Sequence, residues 1–169
     1  MTTISMHAAS APVFARMLGN MLNWIDAAKA HAEAKKFSPD VYLTLRLAPD
    51  MLPFPKQIQI ASDAAKGCVA RLAGQEIPKY EDNEATLDDL AERIRKTRDY
   101  VLSVPAAAFE GSEGRAISIP RRSGDPLAFD GLTYLSHFAT PNFYFHAATT
   151  YALLRHAGVP LGKSDYLGG

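Results

Sequence analysis

The chain has 169 residues, of which 47% are hydrophobic and 21% charged; this composition excludes intrinsic disorder and suits one compact domain over residues 1–169. Eighteen basic residues balance eighteen acidic ones, so the totals give no indication of binding to nucleic acid or to an anionic membrane. The N-terminus lacks a secretory signal pattern, and no apolar run reaches membrane-spanning length, so the sequence predicts a cytoplasmic protein.

Two long helices are predicted in the first half of the chain. Apolar residues recur at helical spacing from about residue 7 to residue 35, and the Ala-rich stretch AAKAHAEAKK favours a helix as well. Ser38 and Pro39 are typical of a helix start and predict a short connecting helix. The second long helix is predicted from about 53 to 73, with Gly74 ending it.

The second half of the chain predicts a third helix, a β-hairpin and a fourth helix. Thr86 opens the stretch TLDDLAERIRKTRDYVLSV, and Asp89 follows three residues later, in the manner of a capping box. Alternating apolar residues between about 106 and 131 predict a small hairpin. The fourth helix is predicted from about 130 to 156, with Pro141 kinking it.

The predicted elements together indicate the fold class. Four long amphipathic helices favour an all-α fold, a four-helix bundle with the small hairpin between its third and fourth helices. The last residues, 159–169, are rich in glycine and show no periodicity. We therefore expect them to form a C-terminal tail.

Three polar side chains lie on or beside the apolar stripes of the predicted second and fourth helices. At about 100° per residue, Asn142 and His146 share the direction of the apolar anchors of the fourth helix. Gln57 lies along the edge of the stripe of the second helix, and Gln59 points roughly the opposite way. Because a buried polar group without a partner costs about 1–3 kcal/mol, this trio needs partners.

Two interpretations of the trio are open. In the first, Gln57, Asn142 and His146 form a polar pocket that binds a small molecule or a weakly held divalent metal such as Zn, Ni or Mn, and a kink at Pro141 could bring His137 to it. In the second, the trio is a hydrogen-bond network in the core. Amide oxygens are weak neutral ligands for zinc or nickel, which favours the second interpretation.

Other candidate groups have simpler explanations. Cys68 lies on the apolar stripe of the second helix, which predicts a small buried hydrophobic residue rather than a nucleophile. His7 and His31 are expected to be exposed to solvent. Positive charge in the last turn of a helix is favourable, and this explains His156.

The chain resembles the DinB/YfiT-like superfamily of four-helix bundles, and within it a bacterial family described as a domain of unknown function. The resemblance covers nearly the whole chain and is carried by four segments. They are SMHAASAPVFARMLGN, RLAPDMLPFPKQIQIASD, the loop IPKYEDNE, and the long block HFATPNFYFHAATTYALLRHAGVPLGKSDYLG.

The resemblance implies a possible metal site. In the superfamily, one histidine of the second helix and an HxxxH pair of the fourth hold a metal, and metal-dependent members transfer small thiols or isomerise thiol-dependent substrates. In this chain His146 matches the second histidine of the pair, Asn142 stands at the first, and Gln57 stands at the second-helix position. Two of the three ligand positions are therefore amides.

Two hypotheses about function follow. The first is a divergent DinB-like protein whose pocket binds a small molecule or a weakly held metal, with transferase activity as one possibility. The second is a non-catalytic bundle that acts through association as a homodimer. The run from Phe143 to Phe145 covers more faces of the fourth helix than one core needs, which favours a second subunit.

Overall fold

The computed structural model describes residues 4–169, and four long helical segments dominate it. Helix α1 spans Ala11–Lys35, α2 spans Phe54–Ala73 and α3 spans Leu87–Ser103. The fourth segment is continuous and consists of α4 (Gly131–Thr133), a π-helical stretch (Tyr134–Ala139) and α5 (Thr140–His156). The predicted four-helix bundle is confirmed.

The helix ends follow the sequence signals, with a difference at the start of α1. In the predicted capping box, the Asp89 N–H donates to Thr86 Oγ1 at 3.1 Å and the Thr86 N–H donates to Asp89 Oδ2 at 2.9 Å. Gly74 ends α2 in the left-handed region, with φ of 67°. Helix α1 begins later than predicted because the backbone of Ser10, with φ of −127° and ψ of −80°, is not helical. The Ser10 hydroxyl donates to the Met6 carbonyl in the preceding turn at 2.6 Å.

The fourth helical segment is distorted just before its proline. The N–H of Thr140 donates to the carbonyl of Leu135, five residues back, whereas an α-helix bonds four residues back. Pro141 has no N–H to donate and follows this wide turn directly. The distortion predicted at Pro141 is therefore present as the π-helical stretch.

The predicted hairpin is confirmed and is shorter than the segment that predicted it. Strand β1 (Ile117–Ile119) pairs antiparallel with β2 (Leu127–Phe129), and Ser118 lies opposite Ala128. Two 3₁₀ turns, Ala106–Phe109 and Ser112–Gly114, occupy the residues before it.

The C-terminal residues are not the tail that the sequence predicts. They include a short helix, α6 (Lys163–Leu167), which packs against α1. Trp24 Nε1 donates to the carbonyl of Asp165 at 3.0 Å, and Asn20 Nδ2 donates to that of Tyr166 at 2.9 Å. Five residues are too few to show periodicity or to form a stable helix alone, so this helix depends on donors that lie far away in the sequence.

Helix α2 is the most enclosed of the four segments, because it packs against α5 on one side and against α3 on another. Helices α2 and α5 run antiparallel: Gln57 near the start of α2 contacts His146, and Arg71 near its end contacts Tyr134. This register determines which side chains of α2 and of the fourth segment face one another. Within residues 4–169, no helix is long and apolar enough to cross a membrane.

Candidate functional site

Gln57 and His146 form a direct hydrogen bond between α2 and α5. His146 Nδ1 lies 2.7 Å from Gln57 Oε1, and Gln57 Nε2 donates to the carbonyl of Leu52 at 2.9 Å. Since the amide nitrogen serves Leu52, the amide oxygen faces the histidine, and an amide oxygen can only accept. The hydrogen-bond network therefore assigns the proton of the neutral ring to Nδ1 and the lone pair to Nε2.

Burial keeps this histidine neutral. The side chain of His146 lies among residues that leave 8% of it exposed, and this desolvation lowers its pKa from the usual 6.5. The hydroxyl of Thr150 donates to the His146 carbonyl at 2.9 Å, as a helical threonine often does. The Gln57–His146 pair thus has the features of a satisfied core hydrogen bond.

The structure does not join Asn142 and His137 to this pair. Asn142 lies one turn before His146 on the same side of α5, but of these two side chains Gln57 bonds only to His146. Asn142 is half-buried, and among residues 4–169 its side chain makes no hydrogen bond. His137 is exposed. Of the predicted trio, only Gln57 and His146 come together.

Asn142 lines a different feature, a cleft of about 160 Å³ between α2, the fourth helical segment and the hairpin. We call it the Asn142 cleft. Its polar side chains are Asp63 and Arg71 from α2, and Tyr134 and Asn142 from the fourth segment. Its apolar lining is formed by Ile60, Ala64, Ile119, Phe138 and Ala139.

Arg71 and Tyr134 form the best-defined contact in the Asn142 cleft. Arg71 Nη1 donates to the Tyr134 hydroxyl at 3.1 Å, and the guanidinium lies 5.8 Å from the centre of the ring. Burial raises the pKa of Tyr134 to about 12, so the hydroxyl keeps its proton. Because its oxygen accepts from Arg71, that hydroxyl can donate its hydrogen to another group.

The donors around His146 do not fit a tightly held transition metal. Gln57 already uses both ends of its amide, and Asn142 contributes a neutral amide that lies in a different feature. Zinc and nickel sites are built mainly from imidazoles and thiolates, with carboxylates in addition. In the part of the chain that the structure describes, no three His, Cys, Asp or Glu side chains are grouped so as to hold a metal ion.

The structure contains an ion network, on the side of α2 away from Gln57, that is not among the predictions made from the sequence. Arg93 is 4% exposed; it donates to Glu84 at 2.8 Å and to Asp63 at 3.0 Å, and it contacts Asp82 at 3.1 Å. Gln59 does point away from Gln57, as the wheel predicts. It is nevertheless buried, at 3% exposed, because this face of α2 is also covered, and it donates to Glu84 at 2.7 Å.

The sequence does contain a signal for this network. Arg93 lies at helical spacing from Leu90 and Thr97, both fully buried in α3, and the acidic stretch EDNE precedes that helix. A cation on a core-facing stripe requires an acidic partner. Desolvation raises the pKa of Glu84, but the hydrogen bonds from Arg93 and Gln59 outweigh it and hold that pKa below its usual value.

The remaining candidate residues, Cys68, His7 and His31, pack among or bond to other residues of the chain. Cys68 is buried as predicted, and burial raises the pKa of its thiol to about 12. His7 and His31 are half-buried rather than exposed. His31 Nδ1 lies 2.6 Å from the hydroxyl of Tyr42, and His7 meets Phe109 edge to face at 5.2 Å.

Comparisons with known proteins agree with this description. A family model described as a domain of unknown function, DUF1993, matches residues 6–167. The chain is similar to the crystal structure of a DinB family member protein from Shewanella denitrificans, with 40% identity and a TM-score of 0.87. The match covers 96% of this chain and 92% of that one. No curated protein matches the chain.

The family match spans nearly the whole chain, and the similar structure has the same bundle. Both agree with the resemblance to the DinB/YfiT-like superfamily that the sequence segments of the first, second and fourth helices indicate. The chain therefore belongs to the DUF1993 family of unknown function, within the DinB-like superfamily of four-helix bundles.

Proposed function

We propose that this chain binds a small organic molecule in the Asn142 cleft and does not need a metal to do so. The observation that carries the proposal is the side chain of Asn142. It is half-buried, it lines a cleft with Arg71 and Tyr134, and it has no hydrogen-bond partner among the described residues. Because Asn142 lines the cleft, the N–H groups and the oxygen of its amide are available to a bound molecule.

The size of the cleft limits its ligand. A volume of about 160 Å³ is that of about five water molecules, whereas sites for drug-sized ligands enclose roughly 300–1,000 Å³. The ligand is therefore a small metabolite, or one end of a larger one. The mixed lining, with a few polar groups on an apolar surface, is the usual composition of such sites.

The Gln57–His146 pair supports the cleft rather than forming it. The pair joins α2 to α5 near one end of their contact, and the Arg71–Tyr134 hydrogen bond joins α2 to the fourth segment near the other. Two polar contacts that fix the register of neighbouring helices preorganise the side chains between them. Asn142 lies along α5 between these two contacts.

A fragment screen by ¹⁵N-edited NMR on the full chain tests this proposal. We expect neutral and charged fragments of four to eight heavy atoms, an order of size set by the cleft volume, to shift the side-chain amide of Asn142. In the variant Asn142→Leu, the fragments should no longer shift the resonances of the other residues that line the cleft. The matched control is Asn23→Leu, the same change at an exposed position of α1, which should bind as the unmodified chain does.

A titration with Zn²⁺ belongs to the same experiment. We expect no stoichiometric binding to the chain and no thermal stabilisation, because the donor set around His146 is poor. Tight zinc binding that His146→Phe removes would contradict the metal-free part of the proposal. Fragments that shift only residues outside the cleft would contradict the cleft itself.

We also propose, as a second candidate, that the protein forms a homodimer through the outer face of α5. The aromatic run divides as follows: Phe143 is buried, Tyr144 is half-buried, and Phe145 is 57% exposed. Pro141 and Ala148, at helical spacing from Phe145, are exposed as well. An uncharged stripe on the outside of a bundle is the kind of surface that a second subunit covers.

Sedimentation velocity at micromolar concentration tests the dimer. We expect Phe145→Glu to shift the chain to the monomer, since a charge would have to be buried in the contact. Leu102→Glu is the matched control, because Leu102 is 56% exposed on α3. An unmodified chain that sediments as a monomer, or a dimer that both variants disrupt equally, would eliminate this candidate.

A further inference from the structure

We infer that the ligand of the Asn142 cleft is a small carboxylate, that Arg71 is the group that binds it, and that Gly67 positions Arg71. This inference rests on the proposed function and adds to it the chemical class of the ligand. It depends on the balance of charge in the cleft, on the donors that line it, and on the packing of Arg71 against α2.

The charges of the cleft are unequal in effect. Asp63 Oδ1 lies 2.8 Å from Lys66 Nζ and 3.0 Å from Arg93 Nη2, so Lys66 compensates this carboxylate and Arg93, which other carboxylates share, contacts it too. Arg71 forms no ion pair with an acidic side chain in residues 4–169. It is also half-buried. The uncompensated charge is therefore positive, and a charge withdrawn from water favours an anionic partner.

The polar groups beside Arg71 can donate hydrogen bonds. The Tyr134 hydroxyl has its hydrogen free, because its oxygen accepts from Arg71. The Asn142 amide offers two N–H groups. A carboxylate has two acceptor oxygens, and guanidinium binds carboxylates in a fixed fork geometry. The apolar lining from Ile60 and Phe138 suits a short hydrocarbon portion of the same molecule.

Gly67 lets the guanidinium of Arg71 lie against the helix. A Cβ at residue 67 would lie 2.7 Å from Arg71 Nη1 and 3.8 Å from Arg71 Cζ. The side chain thus folds back by four residues along α2, over the space that glycine leaves free. Glycine within a helix is destabilising relative to alanine, so the position of Arg71 depends on a residue that the helix alone would not favour.

Three nearly isosteric probes test the class of ligand: butyrate, butyramide and butylamine. Binding is measured by calorimetry, and the binding position by the NMR shift of the Asn142 amide. We expect butyrate to bind at least about tenfold more tightly than either other probe, because hydrogen bonds to a charged partner are the stronger ones. Equal or tighter binding of butyramide or butylamine would overturn the inference.

The variant Gly67→Ala tests the positioning residue. Its methyl group would displace the end of the Arg71 side chain, and we expect roughly a tenfold loss of butyrate affinity together with an unchanged or higher Tm. Gly19→Ala is the matched control: Gly19 also lies in a helix, but its Cβ would lie 3.7 Å from Arg98 Nη1, an ordinary contact. That variant should keep full affinity for butyrate, with an unchanged or higher Tm.

The outcomes separate this inference from the proposed function. If probes of every charge shift the Asn142 amide equally, the cleft binds small molecules but the carboxylate class is wrong. If Gly67→Ala binds butyrate as the unmodified chain does, the role of Gly67 is wrong. If no probe or fragment shifts the cleft residues, the proposed function and the inference fail together.

Discussion

Replacing Arg93 by methionine should lower the free energy of unfolding by about 3–5 kcal/mol, the usual cost of removing one partner from a buried ion network. The side chain of Arg93 is 2% exposed, and that of its partner Glu84 is 8% exposed. Methionine retains much of the packing of the arginine side chain but leaves the carboxylate of Glu84 without its strongest donor. Urea unfolding followed by circular dichroism measures the effect.

The large expected effect reflects the number of elements that Arg93 connects. It contacts Asp63 on α2, and in the loop before α3 it contacts the Glu81 carbonyl at 3.0 Å as well as Asp82 and Glu84. Loss of the guanidinium therefore removes the anchor of that loop and exposes one side of α2. Hydrogen exchange should become faster in residues 75–85 than in the rest of the chain.

Arg95→Met is the matched control, two residues further along α3. Arg95 pairs with Glu92 at 3.0 Å, but the two side chains are 50% and 72% exposed. Surface ion pairs contribute about 0–1 kcal/mol, so this variant should differ little from the unmodified chain. Similar losses in both variants would contradict the assignment of the network as a buried one.

The stability of the Arg93 network should also depend on pH. Desolvation raises the pKa of Glu84, but hydrogen bonds from Arg93 and Gln59 outweigh it and lower that pKa in the folded state. The pKa of Asp82 is lowered in the same way, by a hydrogen bond from Lys56 and by the charge of Arg93. Carboxyl groups of this kind contribute stability above their unfolded pKa, and the contribution is lost as the pH falls through the folded one. Arg93→Met should therefore remove part of the loss of stability that the chain shows as the pH falls, measured by urea unfolding at several pH values.

The sequence predicts the helices well because their signals are local. The capping box of Thr86 and Asp89, the glycine stop at Gly74 and the helical spacing of apolar residues each depend on neighbours a few residues apart. Helix α6 and the Arg93 network depend on partners brought together by the bundle. A local pattern places Arg93 on the core-facing stripe of α3, but it does not identify the distant partner Asp63, and no local pattern identifies the partners of α6.

The candidate site is predicted in part for the same reason. The direction of Gln57 and His146 is a property of single helices, and the wheel places both toward the core. Asn142 shares that direction, but its burial depends on which elements cover the fourth segment one turn before His146, and there the cleft beside the hairpin is open. A helical wheel gives the direction of a side chain but not the elements that pack against it.

A double-mutant cycle on Gln57 and His146 should give a coupling energy of about 1–3 kcal/mol. Gln57→Leu leaves the Nδ1–H of His146 without its acceptor, and it also frees the carbonyl of Leu52. His146→Phe leaves the amide oxygen of Gln57 unpaired. The double variant, with apolar groups of similar size in both places, should recover much of the loss, as replacing both partners of a buried hydrogen bond commonly does.

The same double variant separates a structural role of the pair from a binding role. If the Gln57–His146 hydrogen bond only holds α2 and α5 in register, the double variant should bind butyrate within a factor of about three of the unmodified chain, a free-energy difference below 1 kcal/mol. Additive single variants would show that the two side chains do not interact. A stable double variant that has lost all binding would instead make His146 part of the ligand site.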